Sequence, residues 1–347
     1  MRDLAVVGGG PVGLATALFA RRAGLEVTVL EPRSFPIDKA CGEGLMPAAR
    51  EVLGDVGVFP AGRPFTGISY LDGRRRATAA FASGRSGLGV RRTELHRALA
   101  AASVDAGVAV VAQRVEGLDV RADRVIADAV DARFEARYLI GADGLHSTVR
   151  RRLGLERTAP RLAPPRRWGI RAHYEVAPWS DTVEVYWSAH GEAYVTPVGH
   201  DLVGVAVLSA RRGSFEAHLA QFPSLRQRLS GREPVAPAEG AGPLRQRVRA
   251  RTSGRVLLAG DAAGYVDALT GEGLSIGFRQ ARAAVARIAE GRPERYEHDY
   301  RTITREYRVL TQALLLAGRI PPVRSGLVPL AAALPAVFSR AVNSAAG

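Results

Sequence analysis

A run of glycines near the start of the chain has the spacing that phosphate binding needs. Gly8 to Gly13 form a G-x-G-x-x-G between an apolar segment and an alanine-rich one. Here Gly8 allows a tight turn, Gly10 lets the backbone approach a pyrophosphate, and Gly13 permits close contact between helix and strand. The helix start at Pro11 and Val12 offers free N–H groups to phosphates. The run predicts a dinucleotide site.

An acidic residue stands where a nucleotide ribose is expected. Glu31 ends the second apolar segment, 18 residues after Gly13. A carboxylate there can accept hydrogen bonds from ribose hydroxyls. We assign Pro32 and Arg33, which follow it, to the same site. The fingerprint serves NAD as well as FAD, so it does not name the nucleotide.

A strand–helix–strand unit must position these residues. Residues 4–7 and 26–30 have the apolar pattern of buried strands, and 14–23 that of a helix, which together open a doubly wound parallel sheet. Further elements of the same domain are predicted as a helix at 92–106, a strand at 108–112, two pairing strands within 114–138, and a central strand at 138–142.

A second sheet is predicted within the first domain. Alternating segments separated by turns indicate antiparallel strands at 169–176, 183–187, 193–197 and 202–209. A buried strand at 255–259 and a helix from Gly273 then return to the first domain. The proline-rich stretches 160–165 and 234–243 are the expected crossing points.

Two later motifs carry a family resemblance. Residues 139–150, Leu-Ile-Gly-Ala-Asp-Gly-Leu-His-Ser-Thr-Val-Arg, resemble the G-A-D-G-x-x-S-x-V-R motif of the para-hydroxybenzoate hydroxylase-like FAD monooxygenases. Residues 257–273 resemble the G-D motif of the same superfamily, which includes group A flavin monooxygenases and a geranylgeranyl reductase-like branch. With the glycine fingerprint, the motifs stand in the expected order and spacing. The resemblance implies an FAD-dependent oxidoreductase.

The resemblance also implies the architecture. The fold would be α/β, with a Rossmann-like FAD-binding domain of the glutathione reductase type and an inserted antiparallel-sheet substrate domain. The predicted boundaries are 1–66, 85–165 and 245–295 for the FAD-binding domain, 67–84 and 166–244 for the substrate domain, and 296–347 for a C-terminal helical segment.

Cofactor roles follow for the positions that match the motifs. Asp261 would hydrogen-bond the ribitol of FAD, and Arg92 would brace its pyrophosphate. Asp143 would hold the loop that shapes the pyrophosphate and nicotinamide region, or would only cap that loop. The other residues implied at the G-D motif and the following helix start are Gly260, Gly271, Gly273 and Leu274.

A finer resemblance concerns residues 38–47, Asp-Lys-Ala-Cys-Gly-Glu-Gly-Leu-Met-Pro. They look like the C-G-x-G-L-x-P segment of the geranylgeranyl reductase-like branch. Gly264, where many hydroxylases have His, agrees with that branch, whereas Ala268 departs from it. Cys41 and Gly42 would then face the flavin. The thiol could donate a proton to a reduced alkene carbon, or could be a small buried hydrophobe.

Two reactions fit these motifs. We rank first a monooxygenase that hydroxylates or epoxidises an aromatic, polyketide or isoprenoid-like substrate through a flavin C4a-hydroperoxide. Reduction of C=C bonds in an isoprenoid or other apolar substrate ranks second, because residues 191–197 only loosely resemble the Y-x-W-x-F-P signature of prenyl reductases. The Trp-x-Trp-x-Ile-Pro signature of flavin halogenases is missing from the sequence.

The resemblance also implies an electron donor. NADH or NADPH would bind transiently as hydride donor, or a partner reductase would deliver electrons. Substrate contacts are predicted at His173, Tyr186, Trp187, Tyr194 and Pro197.

Composition limits the other functions. The formal charge is +14, but the basic residues are spread along the chain, Lys39 is the only lysine, and no nucleic-acid-binding motif accompanies them. An anionic substrate, a carrier protein or a membrane surface stays open as a partner.

With one cysteine we expect no intramolecular disulfide and no metal site. The apolar tail 314–338 is broken by four prolines, which predicts short helices rather than a span. We expect no signal peptide, a cytoplasmic location and a role in natural-product biosynthesis.

Overall fold

The computed structural model describes residues 1–158 and 166–347, so the predicted crossing at 160–165 lies outside the described residues. The strands, in chain order, are β1 (Arg2–Val7), β2 (Val27–Leu30), β3 (Gly44–Leu45), β4 (Arg63–Phe65), β5 (Gly67–Leu71), β6 (Arg76–Ala80), β7 (Gly87–Gly89), β8 (Ala109–Val111), β9 (Val115–Val120), β10 (Val125–Ala129), β11 (Arg133–Gly141), β12 (Trp168–Glu175), β13 (Val183–Trp187), β14 (Gly191–Pro197), β15 (Leu202–Ser209), β16 (Glu239–Ala241), β17 (Thr252–Ser253) and β18 (Val256–Leu258).

Prolines begin many of the helices, because a proline at the first helical position loses no hydrogen bond and has a suitable φ. The helices are α1 (Pro11–Arg22), α2 (Pro47–Gly54), α3 (Arg92–Asp105), α4 (Thr148–Arg152), α5 (Phe215–Leu219), α6 (Pro223–Arg228), α7 (Gly273–Ala289), α8 (Tyr296–Ala317), α9 (Pro321–Ala333) and α10 (Pro335–Ala346).

The first sheet has eight strands, with the order β17-β18-β11-β1-β2-β8 and a β9–β10 hairpin paired to β11. The strands from β18 to β8 run parallel to one another. Helices α1, α3 and α7 pack against it, and β1 and β2 are buried because both faces are covered. The predicted α/β fold is therefore confirmed.

One strand boundary was predicted wrongly. Two pairing strands were expected within 114–138 and a separate one at 138–142, but β11 is continuous over Arg133–Gly141. Its first half pairs antiparallel with β10 at the exposed edge, and its second half lies between β1 and β18. The pattern changes from alternating to continuously apolar within one strand, because its surroundings change along its length.

The second sheet has seven strands in the order β16-β12-β15-β14-β13-β5-β6. Its pairs are antiparallel except that β13 runs parallel to β5. One face packs on α5 and α6, which cover an apolar cluster around Val205 and Phe215. The opposite face and the carboxyl ends of the parallel strands border the same cavity. The two sheets thus supply the two sides of one site.

The C-terminal helices lie over the cavity side of the second sheet. In α10, Phe338 stacks against Tyr70 of β5 with ring centroids 4.7 Å apart. In α9, Arg324 donates to a carboxylate oxygen of Glu192 in β14 at 2.7 Å. Among the described residues, no single helix has the length and hydropathy to cross a bilayer. The pair α9 and α10, bent by 102°, reaches that length only when the two are added together.

A buried arginine ties two of the sequence motifs together. Arg150 is 1% exposed and donates to the carbonyl oxygens of Leu145 (2.7 Å) and Ala262 (3.1 Å) and to Gln246 Oε1 (3.1 Å). Arg151, next to it, is exposed. Arg150, the first of three consecutive arginines, therefore has a structural role.

We predict that Arg150→Met lowers the free energy of unfolding by about 2–4 kcal/mol, because it leaves several buried acceptors unpaired. Arg151→Met is the matched control and should change it by less than about 0.5 kcal/mol. Urea denaturation of both variants measures the difference. Equal stability of the two variants would contradict the role of Arg150.

Candidate cofactor and substrate site

The three fingerprint glycines differ in the space around them: Gly8 and Gly13 are tightly packed, and Gly10 faces open space. Gly8 has φ +105°, and a Cβ there would lie 2.6 Å from the carbonyl oxygen of Ala142. A Cβ on Gly13 would lie 1.8 Å from the carbonyl oxygen of Gly8. A Cβ on Gly10 would meet only Arg92 Nη2, at 3.8 Å. The open side, at the start of α1, therefore fits a phosphate group.

Glu31 is held at the end of β2 by hydrogen bonds within the protein. It is 2% exposed and accepts hydrogen bonds from the N–H of Gly9 (2.8 Å) and from Nε of Arg33 (2.8 Å). Burial would raise its pKa, but the hydrogen bonds from Arg33 and Gly9 and the charge of Arg33 outweigh burial and lower the pKa. The carboxylate is thus ionised, as an acceptor of hydrogen bonds from ribose hydroxyls would have to be.

Arg92 is a buried cation that makes no ion pair among the described residues. It begins α3, it is 9% exposed, and its Nε has no hydrogen-bond partner among the described residues. Burial lowers its pKa because the charged form is desolvated. Its guanidinium faces the open side of Gly10. The charges of Asp38 and Asp261 offset the burial only in part. The diphosphate of FAD fits this position, because it can accept two hydrogen bonds from one guanidinium.

The two aspartates of the later motifs differ in what they contact. Asp143 Oδ2 accepts from the N–H of Thr148 (2.7 Å) and of Val149 (3.1 Å), so it caps α4. Its Oδ1 is buried and without a partner among the described residues, and burial raises its pKa. Asp261 lies 3.4 Å from Nζ of Lys39 and is partly exposed toward the cavity. Capping is thus one observed role of Asp143, and Asp261 is the freer carboxylate.

The segment around Cys41 is held against the second sheet. The carbonyl oxygen of Gly42 accepts from Thr196 Oγ1 at 2.7 Å, and Cys41 Sγ accepts from the N–H of Glu43 at 3.4 Å. Burial raises the pKa of the Cys41 thiol, with the nearby charge of Arg92 acting in the opposite direction. The thiol therefore keeps its proton at neutral pH, and it lies on the cavity wall.

All predicted cofactor residues except Gly13 line one cavity of about 760 Å³, as do Cys41 and Gly42. The far end of the cavity is apolar. Its floor is the second sheet, including Tyr70, Val185 and Leu208, and its roof is α8 to α10, including Leu327 and Phe338. The apolar lining of this end suits an elongated apolar ligand beside the flavin site.

The predicted substrate residues are divided by the sheet. Tyr194 lines the cavity, and its hydroxyl donates to the carbonyl oxygen of Leu269 at 2.8 Å. Tyr186 faces α5 and α6 and donates to Glu184 at 2.7 Å. It pairs with Ala193, whereas Tyr194 pairs with Val185 on the cavity side. Alternation of side chains along β13 and β14 thus removes Tyr186 from the substrate site.

Three further substrate predictions also need correction, because these residues do not line the described cavity. Trp187 lies beyond its edge, against Tyr70 and under the guanidinium of Arg324. Side chains alternate along β14, so Pro197 lies on the opposite face of the sheet from Thr196. The carbonyl oxygen of Pro197 packs against Gly89. His173 is buried behind the cavity wall, where its Nε2 lies 2.7 Å from Glu43 Oε2.

The structure adds site residues that the sequence did not single out. Arg171 lines the cavity, and its guanidinium reaches Glu43 Oε1 (3.3 Å) and Asp38 Oδ1 (2.9 Å). Nothing in the sequence connects positions separated by 128 residues. Lys39 is different, since a lone lysine in an arginine-rich chain was a signal that could have been used.

Glu272 is a buried acid at the start of the helix that follows the G-D motif. It is 8% exposed, and its Oε2 has no hydrogen-bond partner among the described residues. Burial raises the pKa of Glu272 to about 7. The adjacent Gly271 and Gly273 line the cavity.

Fold and site together define an FAD-dependent oxidoreductase. The family model described as FAD binding domain matches residues 1–297, and the chain belongs to that family. FAD is its cofactor, and a reduced nicotinamide is the typical hydride donor in the family.

Two relatives and one solved structure indicate how far the similarity extends. The chain is 30% identical to menaquinone reductase of Mycolicibacterium smegmatis, over 88% of this chain and 80% of the relative. It is 28% identical to digeranylgeranylglycerophospholipid reductase 1 of Methanothermobacter thermautotrophicus, over 83% and 78%. The flavin-dependent brominase Bmp2 superposes with a TM-score of 0.83 over 99% of this chain and 93% of its own, at 16% identity. This last likeness concerns the fold alone.

We predict that Arg92→Met weakens FAD binding about ten- to hundred-fold, because a charge-assisted contact to phosphate is lost. The apoprotein should not lose stability, since the variant removes a buried charge that has no partner. Titration of apoprotein with FAD and thermal unfolding measure the two effects. Arg97→Met, on the exposed side of α3, is the control and should change neither. A loss of apoprotein stability with unchanged FAD affinity would contradict the assignment.

We predict that Glu272→Gln alters the pH dependence of stability. In the wild type the folded state keeps a proton up to about pH 7 that the unfolded chain loses near its ordinary pKa of 4.5. Its free energy of unfolding therefore falls as pH rises through this interval. The variant should be more stable by about 1–3 kcal/mol above pH 7 and equal below pH ~4. Denaturation curves across this range measure it, with exposed Glu294→Gln as control. Parallel wild-type and variant profiles would show that the pKa of Glu272 is the same in the folded and unfolded states.

Proposed function

We propose that this flavoenzyme reduces C=C bonds in an elongated, isoprenoid-like substrate. The observation that carries the proposal is the position of a protonated thiol, Cys41, on the wall between the nucleotide-binding residues and an apolar cavity end. The names of the two reductase relatives support it. This reverses the order in which the sequence ranks the two reactions, and hydroxylation becomes the alternative that the experiment must exclude.

The residues have separate tasks in such a reduction. When bound, FAD supplies a hydride that it has received from a reduced nicotinamide or a partner reductase. Arg92 and the turn at Gly10 bind its diphosphate, Glu31 the ribose, and Asp261 the ribitol. The floor and the roof of the cavity hold the apolar chain and exclude water.

Reduction of an alkene needs a proton as well as a hydride, and Cys41 is the group placed to donate it. Its raised pKa keeps the thiol protonated at neutral pH. Thr196, through Gly42, fixes the backbone of the segment that carries it. Proton transfer leaves a thiolate, which burial destabilises, so the thiol regains a proton from solvent before the next turnover.

The test mixes anaerobically reduced holoenzyme with menaquinone or a geranylgeranyl lipid in detergent. We expect the flavin to be reoxidised by the lipid, and mass spectrometry to show two hydrogens added to the product. Incorporation of oxygen from labelled dioxygen, with no reduction under anaerobic conditions, would instead establish hydroxylation.

We predict that Cys41→Ala slows the reoxidation of reduced flavin by the lipid about 10²- to 10⁴-fold, because the general acid is lost. Reduction of the flavin by nicotinamide should be unchanged, which gives an internal control within the same variant. Stopped-flow absorbance measures both half-reactions. Full activity of Cys41→Ala would leave the thiol as a packing group only.

A further inference from the structure

The last helices expose apolar side chains that a water-facing surface does not explain. In α9, with the sequence Pro-Pro-Val-Arg-Ser-Gly-Leu-Val-Pro-Leu-Ala-Ala-Ala, only Val328 is buried. Leu330 is 56% exposed and Val337, in α10, is 62% exposed. Six exposed residues of this region form what we name the apolar rim: Leu316, Ile320, Val323, Leu330, Leu334 and Val337. Exposed apolar side chains concentrated in one part of the chain favour an interaction site.

The apolar rim is also an entrance to the cavity. Leu330, Leu334 and Val337 are exposed and line the cavity as well. The cavity therefore opens to the surface between α9 and α10. A ligand that enters here crosses apolar side chains at every step, so the partner that covers this opening is itself apolar.

The charged side chains on this stretch of the chain are of one sign, and the acid that precedes it, Glu306, contacts Ser344 of α10. Residues 307–347 contain four arginines and neither aspartate nor glutamate. Arg324 is paired with Glu192, whereas Arg308, Arg319 and Arg340 are exposed and make no ion pair within the described residues. Exposed arginines beside exposed leucines favour an anionic membrane interface. A second copy of the same face would bring arginine against arginine.

We propose that the apolar rim docks the protein on an anionic phospholipid bilayer, so that an apolar substrate passes from the bilayer directly into the cavity. Only the identity of that substrate rests on the proposed function. The rim enters the headgroup region without spanning the bilayer, and α9 and α10 lie along the surface. The arginines contact lipid phosphates while the leucines and valines contact acyl chains.

The test uses the holoenzyme and sedimentation with phosphatidylcholine vesicles, with and without phosphatidylglycerol. We expect binding to the anionic vesicles that weakens at high salt. The variant Leu316→Ser/Ile320→Ser/Val323→Ser changes rim residues that do not line the cavity. It should lower the partition coefficient at least about ten-fold. The matched control Val104→Ser/Val110→Ser/Val130→Ser changes exposed valines elsewhere and should bind like the wild type.

Reduction of a detergent-dispersed lipid separates this proposal from the proposed function. The rim variant should keep that activity while its activity on lipid embedded in vesicles falls with its binding. Lack of wild-type binding to anionic vesicles, or equal binding by the rim variant, would overturn docking whatever the catalytic result. Concentration-dependent dimerisation abolished by the rim variant, without vesicle binding, would assign the rim to a second copy instead.

Discussion

The buried guanidinium of Arg92 is the constraint around which the site is arranged. A charge removed from water needs compensation, and here the charges of Asp38 and Asp261 supply it only in part, so a bound diphosphate would complete it. Three ends of elements meet at the open side of Gly10: the carboxyl end of β1, the start of α1 and the start of α3. The residues that surround this point can pack closely only because Gly8 and Gly13 have no side chain. The nucleotide site therefore depends on close backbone packing, with the guanidinium of Arg92 facing its open side.

The cofactor half of the molecule was predictable because its determinants are local. The turn at Gly8, the carboxylate at Glu31 and the motif around Asp261 each depend on residues that are neighbours in the sequence. The parallel sheet places the ends of these segments together without further specification. Local motifs therefore predicted the cofactor-binding residues, and the parallel-sheet pattern predicted that they lie close together.

The substrate half was less predictable for two physical reasons. Alternation showed that Tyr186 and Tyr194 lie on strands, but it does not tell which face of a sheet is covered by helices. The contact of Arg171 with Glu43 joins segments far apart in the chain, and no local pattern encodes it. Strand β11 shows a related limit, since its surroundings change along its length. The roof formed by α9 and α10 likewise depends on where the tail folds back.

Lys39 gives the flavin site an amine side chain, which no other residue of the sequence has. Apart from the amino terminus, its Nζ is the only primary amine in the sequence, and it lies 3.4 Å from Asp261. Guanidinium groups elsewhere bind anions but do not acylate or form imines under mild conditions. Amine-directed chemistry on this protein is therefore confined to the terminus and to the cofactor pocket. A bound flavin, by covering Lys39, would leave the terminus as the remaining reactive amine.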